Sequence, residues 1–249
     1  MSSLVLLIPA KSGSLRLKNK NLKKIGKSSL LEIKIKSCLH PKLGRVIVST
    51  NSLSIANYSK KLGAEVPFIR PSKYSSSKSS TISAVLHALR YLLYKEKKLP
   101  EFLGILPCTN PFLKKESIRR AFVLLKKNKN FNSVVSYTRS VDHPFIFVDV
   151  KKKNQVKFNL IKYKNLFYSD LERTQDWPET FISSSALKIT RVSYFKKFLK
   201  NKNPQFKLKT FDLNKSIGYK ITQLESLDIN TNDDLNLARA LNIKEKIFK

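Results

Sequence analysis

The densest group of residues able to do chemistry lies in the segment from Pro9 to Asn21, which carries Ala10, Lys11, Ser12, Gly13, Ser14, Arg16 and Lys20. It follows an apolar run at residues 4–8 that reads as a first strand. In an open parallel sheet, ligands bind at the carboxyl ends of strands, where such loops gather. Small residues at 12–14 let backbone N–H groups approach an oxyanion closely. Lys11, Arg16 and Lys20 then add charge at spacings able to surround a chain of phosphates. The segment lacks the Gly-Lys-Ser/Thr ending of a P-loop, and its single glycine is too few for a dinucleotide fingerprint. Physics reads it as an anion-binding loop; the competing reading is a basic surface loop in a lysine-rich chain.

A second group sits near the C-terminal end. Asp228 and Asn230 are two residues apart on an expected strand end, which puts both side chains on one face. Mg²⁺ takes oxygen ligands, usually one or two carboxylates plus substrate phosphates. Asp228 therefore suffices as the charged ligand, with Asn230 offering a neutral carbonyl oxygen, unless the pair only makes turn hydrogen bonds. Arg70 precedes Pro71 and a serine-rich loop running to Ser80, and reads either as a ligand contact or as a surface residue closing a strand. Arg173 is one of ten arginines. Its planar fork matches a carboxylate bidentately, with Gln175 beside it as a hydrogen-bonding partner for the same ligand; the alternative is a helix-surface arginine. His40, His87 and His143 have no partner at catalytic spacing and receive no role. Cys38 and Cys108 have no metal spacing and read as buried thiols.

The elements that must position these residues follow from periodicity. Apolar runs alternate with helical patterns, which argues for βαβ units in an α/β fold with a doubly wound, mostly parallel sheet. Strands are expected at 4–8, 45–50, 65–69, 102–106, 133–137, 186–190 and 221–224, and helices at 29–38, 54–62, 81–94, 114–127, 192–199 and 233–241. Gly63 reads as a left-handed helix cap. From about 142 to 180 the pattern turns irregular, with hairpin strands at 145–148 and 156–160 around Lys151, Lys152, Lys153 and Asn154. The reading is one domain over 1–249 with an inserted lid or dimerisation arm at about 142–180. Phe145, Phe147, Phe158 and Phe167 in that arm have too little local chain to cover them, which points to a second subunit.

Composition excludes other classes. Hydrophobic residues make up 41% of the 249, ample for a core. The run at 4–8 has no basic residue before it and is interrupted by Pro9, so it is not a signal peptide. No window reaches the ~18 apolar residues needed to span a bilayer, and a cytoplasmic location is expected. The formal charge of +32 invites a nucleic-acid reading. The surplus, however, is mostly lysine spread along the whole chain, whereas a base reader concentrates arginine on one element. The charge is expected to be a solvated surface that speeds encounter with anionic substrates. A non-catalytic basic binding protein remains the rival.

The loop at 9–22 resembles the signature of the acylneuraminate cytidylyltransferases, the CMP-sialate synthetase family. Ala10, Gly13, Ser14, Arg16, Leu17, Lys20, Asn21 and Leu22 match it, while Lys11 replaces an arginine, Leu15 a lysine and Lys18 a proline. Similar segments follow in order: Val46-Ile47-Val48-Ser49-Thr50-Asn51, then Gly63-Ala64-Glu65-Val66-Pro67-Phe68-Ile69-Arg70-Pro71, the turn with Thr109, Pro111 and Phe112, Arg173-Thr174-Gln175-Asp176-Trp177-Pro178-Glu179, and Leu227-Asp228-Ile229-Asn230-Thr231. The form at 173–179, with Arg16, leans toward the pseudaminate branch. The resemblance implies transfer of CMP from CTP to an acidic nine-carbon sugar with release of pyrophosphate. It implies Arg16 and Lys20 as catalytic cations and Ala10, Lys11, Gly13, Ser14, Asn21, Arg70 and Thr109 around CTP. It further implies Arg173 and Gln175 on the sugar, Asp228 and Asn230 on Mg²⁺, and a homodimer. Asn51, Ser76, Ser77 and Asn230 stand where that family commonly has Asp, which raises the prospect of weakened activity.

Overall fold

Hydrophobic alternation along the first strand decides the layering. In a computed structural model the described residues are 3–14, 16–76, 79–150, 156–158, 163–166, 173–200, 208–245 and 247–248. Strand β1 (Leu4–Pro9) sends Leu4, Leu6 and Ile8 into one core and Val5 and Leu7 into the other, as the two-residue side-chain period of a strand buried on both faces requires. The first core receives α1 (Leu30–Cys38), α2 (Leu53–Lys61), α4 (Lys115–Lys127) and α7 (Asn232–Glu245). The second receives α3 (Thr81–Tyr94) and α5 (Lys196–Leu199).

The central sheet has six strands in the order β10-β6-β9-β5-β1-β4, formed by β4 (Arg45–Ser49), β5 (Phe102–Ile105), β6 (Ser133–Arg139), β9 (Phe181–Arg191) and β10 (Ser216–Lys220) with β1. The pairs β1–β4, β1–β5 and β6–β10 are parallel. Strand β9 runs antiparallel between β5 and β6, with a register break where Val135 gives way to Tyr137. This is the expected α/β fold with a mostly parallel sheet. Two short ladders lie outside it, β2 (Lys24–Ile25) with β3 (Ser28–Ser29), and β7 (Val148–Val150) with β8 (Val156–Phe158).

Three sequence expectations are corrected. Residues 65–69 make only isolated bridges, Ile47 to Glu65 and Thr50 to Ile69, because Pro67 lacks the donor a ladder needs. Residues 221–224 are not a strand: the strand is β10 just before them, and α6 (Gln223–Ser226) starts at a capping box in which Thr222 and Glu225 satisfy each other. In the arm, Phe145 lies in a 3₁₀ turn rather than a strand and is buried inside its own chain, 4.2 Å from the His143 ring and 5.8 Å from Trp177. Phe147 is exposed. Leu15, Ser77, Lys151, Lys152, Lys153 and Phe167, and the side chain of Phe158, lie outside the described residues. No helix among the described residues is long and apolar enough to cross a membrane.

Candidate active site

The loop after β1 is fixed from both sides. The Ala10 N–H donates to the Ser49 carbonyl at 2.9 Å, continuing the pairing with β4. The Ser12 N–H donates to Oδ1 of Asn51 at 2.9 Å, and the Asn21 amide donates to the Lys11 carbonyl at 3.0 Å. At Gly13 the backbone has φ +77°, and nothing stands within 4 Å of where a Cβ would lie. Glycine is needed there for its left-handed conformation rather than for space. The Lys11 ammonium crosses to the Ser76 carbonyl at 3.0 Å, joining the loop to the serine-rich segment. Ser14 is half-buried and Arg16 exposed. The departures at 51 and 76 thus have local explanations. Asn51 works as a neutral acceptor for a loop N–H, and Ser76 contributes its backbone.

A 3₁₀ turn, Lys20–Leu22, carries the second half of the loop toward the distant chain end. The Lys20 ammonium donates to the Ile229 carbonyl at 2.9 Å and to Oδ1 of Asn230 at 3.0 Å. Burial lowers its pKa from the usual lysine value, opposed by Asp228 and reinforced by nearby Arg16. Residues 227–231 belong to no strand, and Thr231 forms a bend. They are held instead by the Ile229 N–H on the Thr109 carbonyl at 2.8 Å, and by Asp234, whose carboxylate accepts from the N–H groups of Asn230 and Thr231 at 2.8 Å each. The two-residue spacing therefore does not place Asp228 and Asn230 as a strand pair. The Asn230 oxygen faces Lys20. Asp228 has Oδ2 on the Ser185 hydroxyl at 3.2 Å, and its Oδ1 is buried with no hydrogen-bond partner among the described residues. A buried carboxylate oxygen left without a donor is costly, and a cation relieves that cost. Asp228 thus fits a Mg²⁺ ligand. Among the described residues no three His, Cys, Asp or Glu side chains assemble a ready cage, so a cation held here would take its other oxygens from substrate phosphates or water.

Arg70 is not a surface residue. It is 4% exposed, and its Nε and Nη2 have no hydrogen-bond partner among the described residues. Its backbone N–H donates to the Thr50 carbonyl at 2.7 Å, which sets the side chain behind β4. Burial lowers the guanidinium pKa to about 10. Beside it, His87 packs edge-on against Phe68 at 4.6 Å and against Tyr74 at 5.2 Å. Burial, then the charge of Arg70, pushes His87 down to about 4, so it is neutral at physiological pH. A fixed, desolvated guanidinium with idle donors is a site for an acceptor-rich ligand.

Arg173 and Gln175 are exposed and not drawn into this cluster. Arg173 pairs locally with Asp176 at 2.8 and 3.2 Å. The residues that sequence reasoning passed over are Asn110 and Ser185. The fully buried Asn110 donates to the carbonyls of Ser226 and Leu227 at 3.2 and 3.0 Å, while the Ser185 hydroxyl is within 3.0 Å of its Oδ1 and 3.2 Å of Asp228. Nothing in a lone Asn or in a run of serines signals this. Only the fold brings positions 110, 185 and 228 together.

The chain is 27% identical to an N-acylneuraminate cytidylyltransferase of Escherichia coli over 98% of its length, but covers only 53% of that protein. It is 33% identical over 55% of its length to a CMP-N,N'-diacetyllegionaminic acid synthase of Legionella pneumophila, covering 62% of it. A bifunctional pseudaminic acid cytidylyltransferase of Helicobacter pylori matches at 24% over 77% of the chain and 35% of that protein. The chain thus spans about half to three-fifths of the first two of these relatives. Among solved structures, a CMP:2-keto-3-deoxy-manno-octonic acid synthetase complexed with CTP superposes with a TM-score of 0.69 at 13% identity, covering 98% of this chain and all of that one, and shares the fold. The family model described as cytidylyltransferase matches residues 5–247, and the chain belongs to that family.

Proposed function

We propose that this chain transfers the cytidylyl group of CTP to an acidic nine-carbon sugar of the sialic, legionaminic or pseudaminic type. The anomeric hydroxyl attacks the α-phosphorus, its proton passes to water, the bond to the β-phosphate oxygen breaks, and pyrophosphate leaves. The observation that carries this reading is the junction of the cationic loop with the 228–230 segment through Lys20, beside a carboxylate oxygen that has no partner among the described residues. Lys11, Arg16 and Lys20 hold the phosphates, and Arg16 and Lys20 offset charge developing on the departing pyrophosphate. Ala10, Gly13, Ser14 and Asn21 shape the loop, Arg70 donates to the nucleotide, and Thr109 anchors Ile229 through its carbonyl. Asp228 is the principal protein ligand of Mg²⁺, with Asn230 alongside. When bound, that ion neutralises phosphate charge as a Lewis acid. The wide basic surface draws anionic substrates inward.

The test is release of pyrophosphate from CTP and Mg²⁺ across a panel of nine-carbon acidic sugars. The site assignment is tested with Arg16→Ala and Lys20→Ala. Each should lower kcat/KM for CTP by roughly 10- to 1000-fold, as loss of one charge-assisted contact to the transition state implies. Lys126→Ala, on the exposed end of α4, should leave it unchanged. Equal losses from all three would reduce the loop to diffuse electrostatics. Silence with every sugar, together with equal thermal stabilisation by DNA and by CTP, would favour the rival basic binding protein.

The arm at 142–180 is proposed as a homodimer contact. Val141, Ile146, Phe147, Phe181 and Ile182, within it and at its flanks, are all exposed, an apolar set that a second subunit would cover. Arg173 and Gln175, which stand apart from their own chain's loop, would then serve the sugar carboxylate in the neighbour's site. Light scattering at micromolar concentration should give twice the chain mass. A monomer mass would remove both assignments together.

A further inference from the structure

Helix α1 presents Leu30, Leu31, Lys34, Ile35 and Cys38 to the first core, and all five are buried. Lys34 is fully buried, and its ammonium donates to the backbone carbonyl of Asn110 at 2.8 Å. No carboxylate forms an ion pair with it among the described residues. Glu225 is within electrostatic range, but its oxygens already accept from Ser117, the Lys114 N–H and Thr222. Cys38 and Cys108 lie beside it, and burial raises their thiols to about 11 and about 12, so neither is a thiolate counter-charge. Burial lowers the Lys34 pKa, and a buried amino group of this kind costs stability that a methionine of similar volume would not. Its hydrogen-bond partner, Asn110, leads directly to the candidate active site. Asn110 grips the carbonyls of Ser226 and Leu227, and Ser185 links its Oδ1 to Asp228.

We propose that Lys34 is a positioning residue for Asp228, holding the turn around Asn110 from beneath so that Asn110 and Ser185 fix the carboxylate. The inference rests on the reading of Asp228 as the cation-binding residue. It assigns a buried lysine on the first helix, distant from Asp228 in sequence, to the orientation of a group it does not touch. Supporting shells of this kind typically carry ~10- to 100-fold in metal affinity or activity.

The experiment compares Lys34→Met, Ser185→Ala, their double variant, Asp228→Asn and the control Lys36→Met, which changes an exposed lysine on the same helix. The readouts are kcat, KM for CTP, the Mg²⁺ concentration at half-maximal rate, the melting temperature, and the added stabilisation from Mg²⁺ with CTP. Lys34→Met should melt no lower than the parent. It should lose ~10- to 100-fold in kcat, require more Mg²⁺ and keep its KM for CTP within about threefold. The double variant should be no worse than the poorer single one, since both act through the same carboxylate. Lys36→Met should match the parent throughout. Wild-type kcat and Mg²⁺ response in Lys34→Met, with Asp228→Asn inactive, overturns the positioning role and leaves the site reading standing. Full activity in Asp228→Asn overturns the site reading itself. Should Lys34→Met fail to fold, Ser185→Ala decides: an unchanged Mg²⁺ requirement there also ends the proposal.

Discussion

Asp228→Asn should fold as well as the parent and lose about 1000-fold or more in kcat. Among the described residues the carboxylate accepts from Ser185 at Oδ2, and its other oxygen is buried without a partner. An asparagine keeps an acceptor for Ser185 and removes the charge. In the free protein that relieves a carboxylate oxygen buried without a donor among the described residues, and the attraction it gives up to Lys20 and Lys188 offsets part of that gain. In catalysis it removes the protein's hold on the cation that offsets phosphate charge. A loss of ~4 kcal/mol of transition-state stabilisation corresponds to about 1000-fold in rate. The two effects have opposite signs, so melting temperature and kcat measured on one preparation separate them. A Mg²⁺ titration of pyrophosphate release completes the test. An active variant with parental metal dependence would make Asp228 a turn residue and move the metal role elsewhere.

Arg70→Met should raise KM for CTP by ~10- to 100-fold while raising the melting temperature of the free protein. The guanidinium is 4% exposed with two idle donor nitrogens, and burial already pulls its pKa down to about 10. Methionine fills similar volume without an unpaired charge. What is lost is a charge-assisted hydrogen bond to the ligand, contributing about 1.5–3 kcal/mol. Arg70→Lys should not rescue binding, because an ammonium on a flexible stem lacks the planar fork. The stabilisation that saturating CTP gives the parent should shrink in both variants. Parental KM in Arg70→Met would show that the nucleotide lies elsewhere and that Arg70 is only a strained core residue.

Long amphipathic patterns were readable in advance. Helix α3 falls on its expected residues, 81–94, because six apolar positions repeat at helical spacing. Strand β1 was equally plain. What failed was short or polar. Strand β10, Ser216–Lys220, contains Gly218 and alternates half-buried with exposed positions at the sheet edge, so no apolar run marks it. The adjoining Thr222 and Glu225 did carry a legible capping-box spacing that argued against a strand at 221–224. At the site, the loop residues were visible because their charge is local in sequence. Asn110 and Ser185 were not, since their role arises from contacts across 75 and 117 residues. Lys34 left one trace, a charge in the buried stripe of α1. That Arg70 is buried was also hidden, because a residue before a proline at the end of an apolar run looks the same whether it faces water or core.

The antiparallel β9 also governs the order in which the chain can fold during synthesis. Strands β4, β1 and β5 form one half of the sheet and β6 and β10 the other, and only β9 hydrogen-bonds to both halves. That strand spans Phe181–Arg191. A nascent chain that has emerged through residue 139 therefore holds the three strands of the sheet's N-terminal half and a β6 whose two neighbours have not yet been made. The apolar flanks of β5 and β6 must wait exposed for roughly forty further residues, at a few seconds of elongation. Pairing across so long a separation slows closure. In this interval the unfinished edge is the chain's most vulnerable surface, and the chain's net positive charge, by self-repulsion, keeps neighbouring unfinished chains apart.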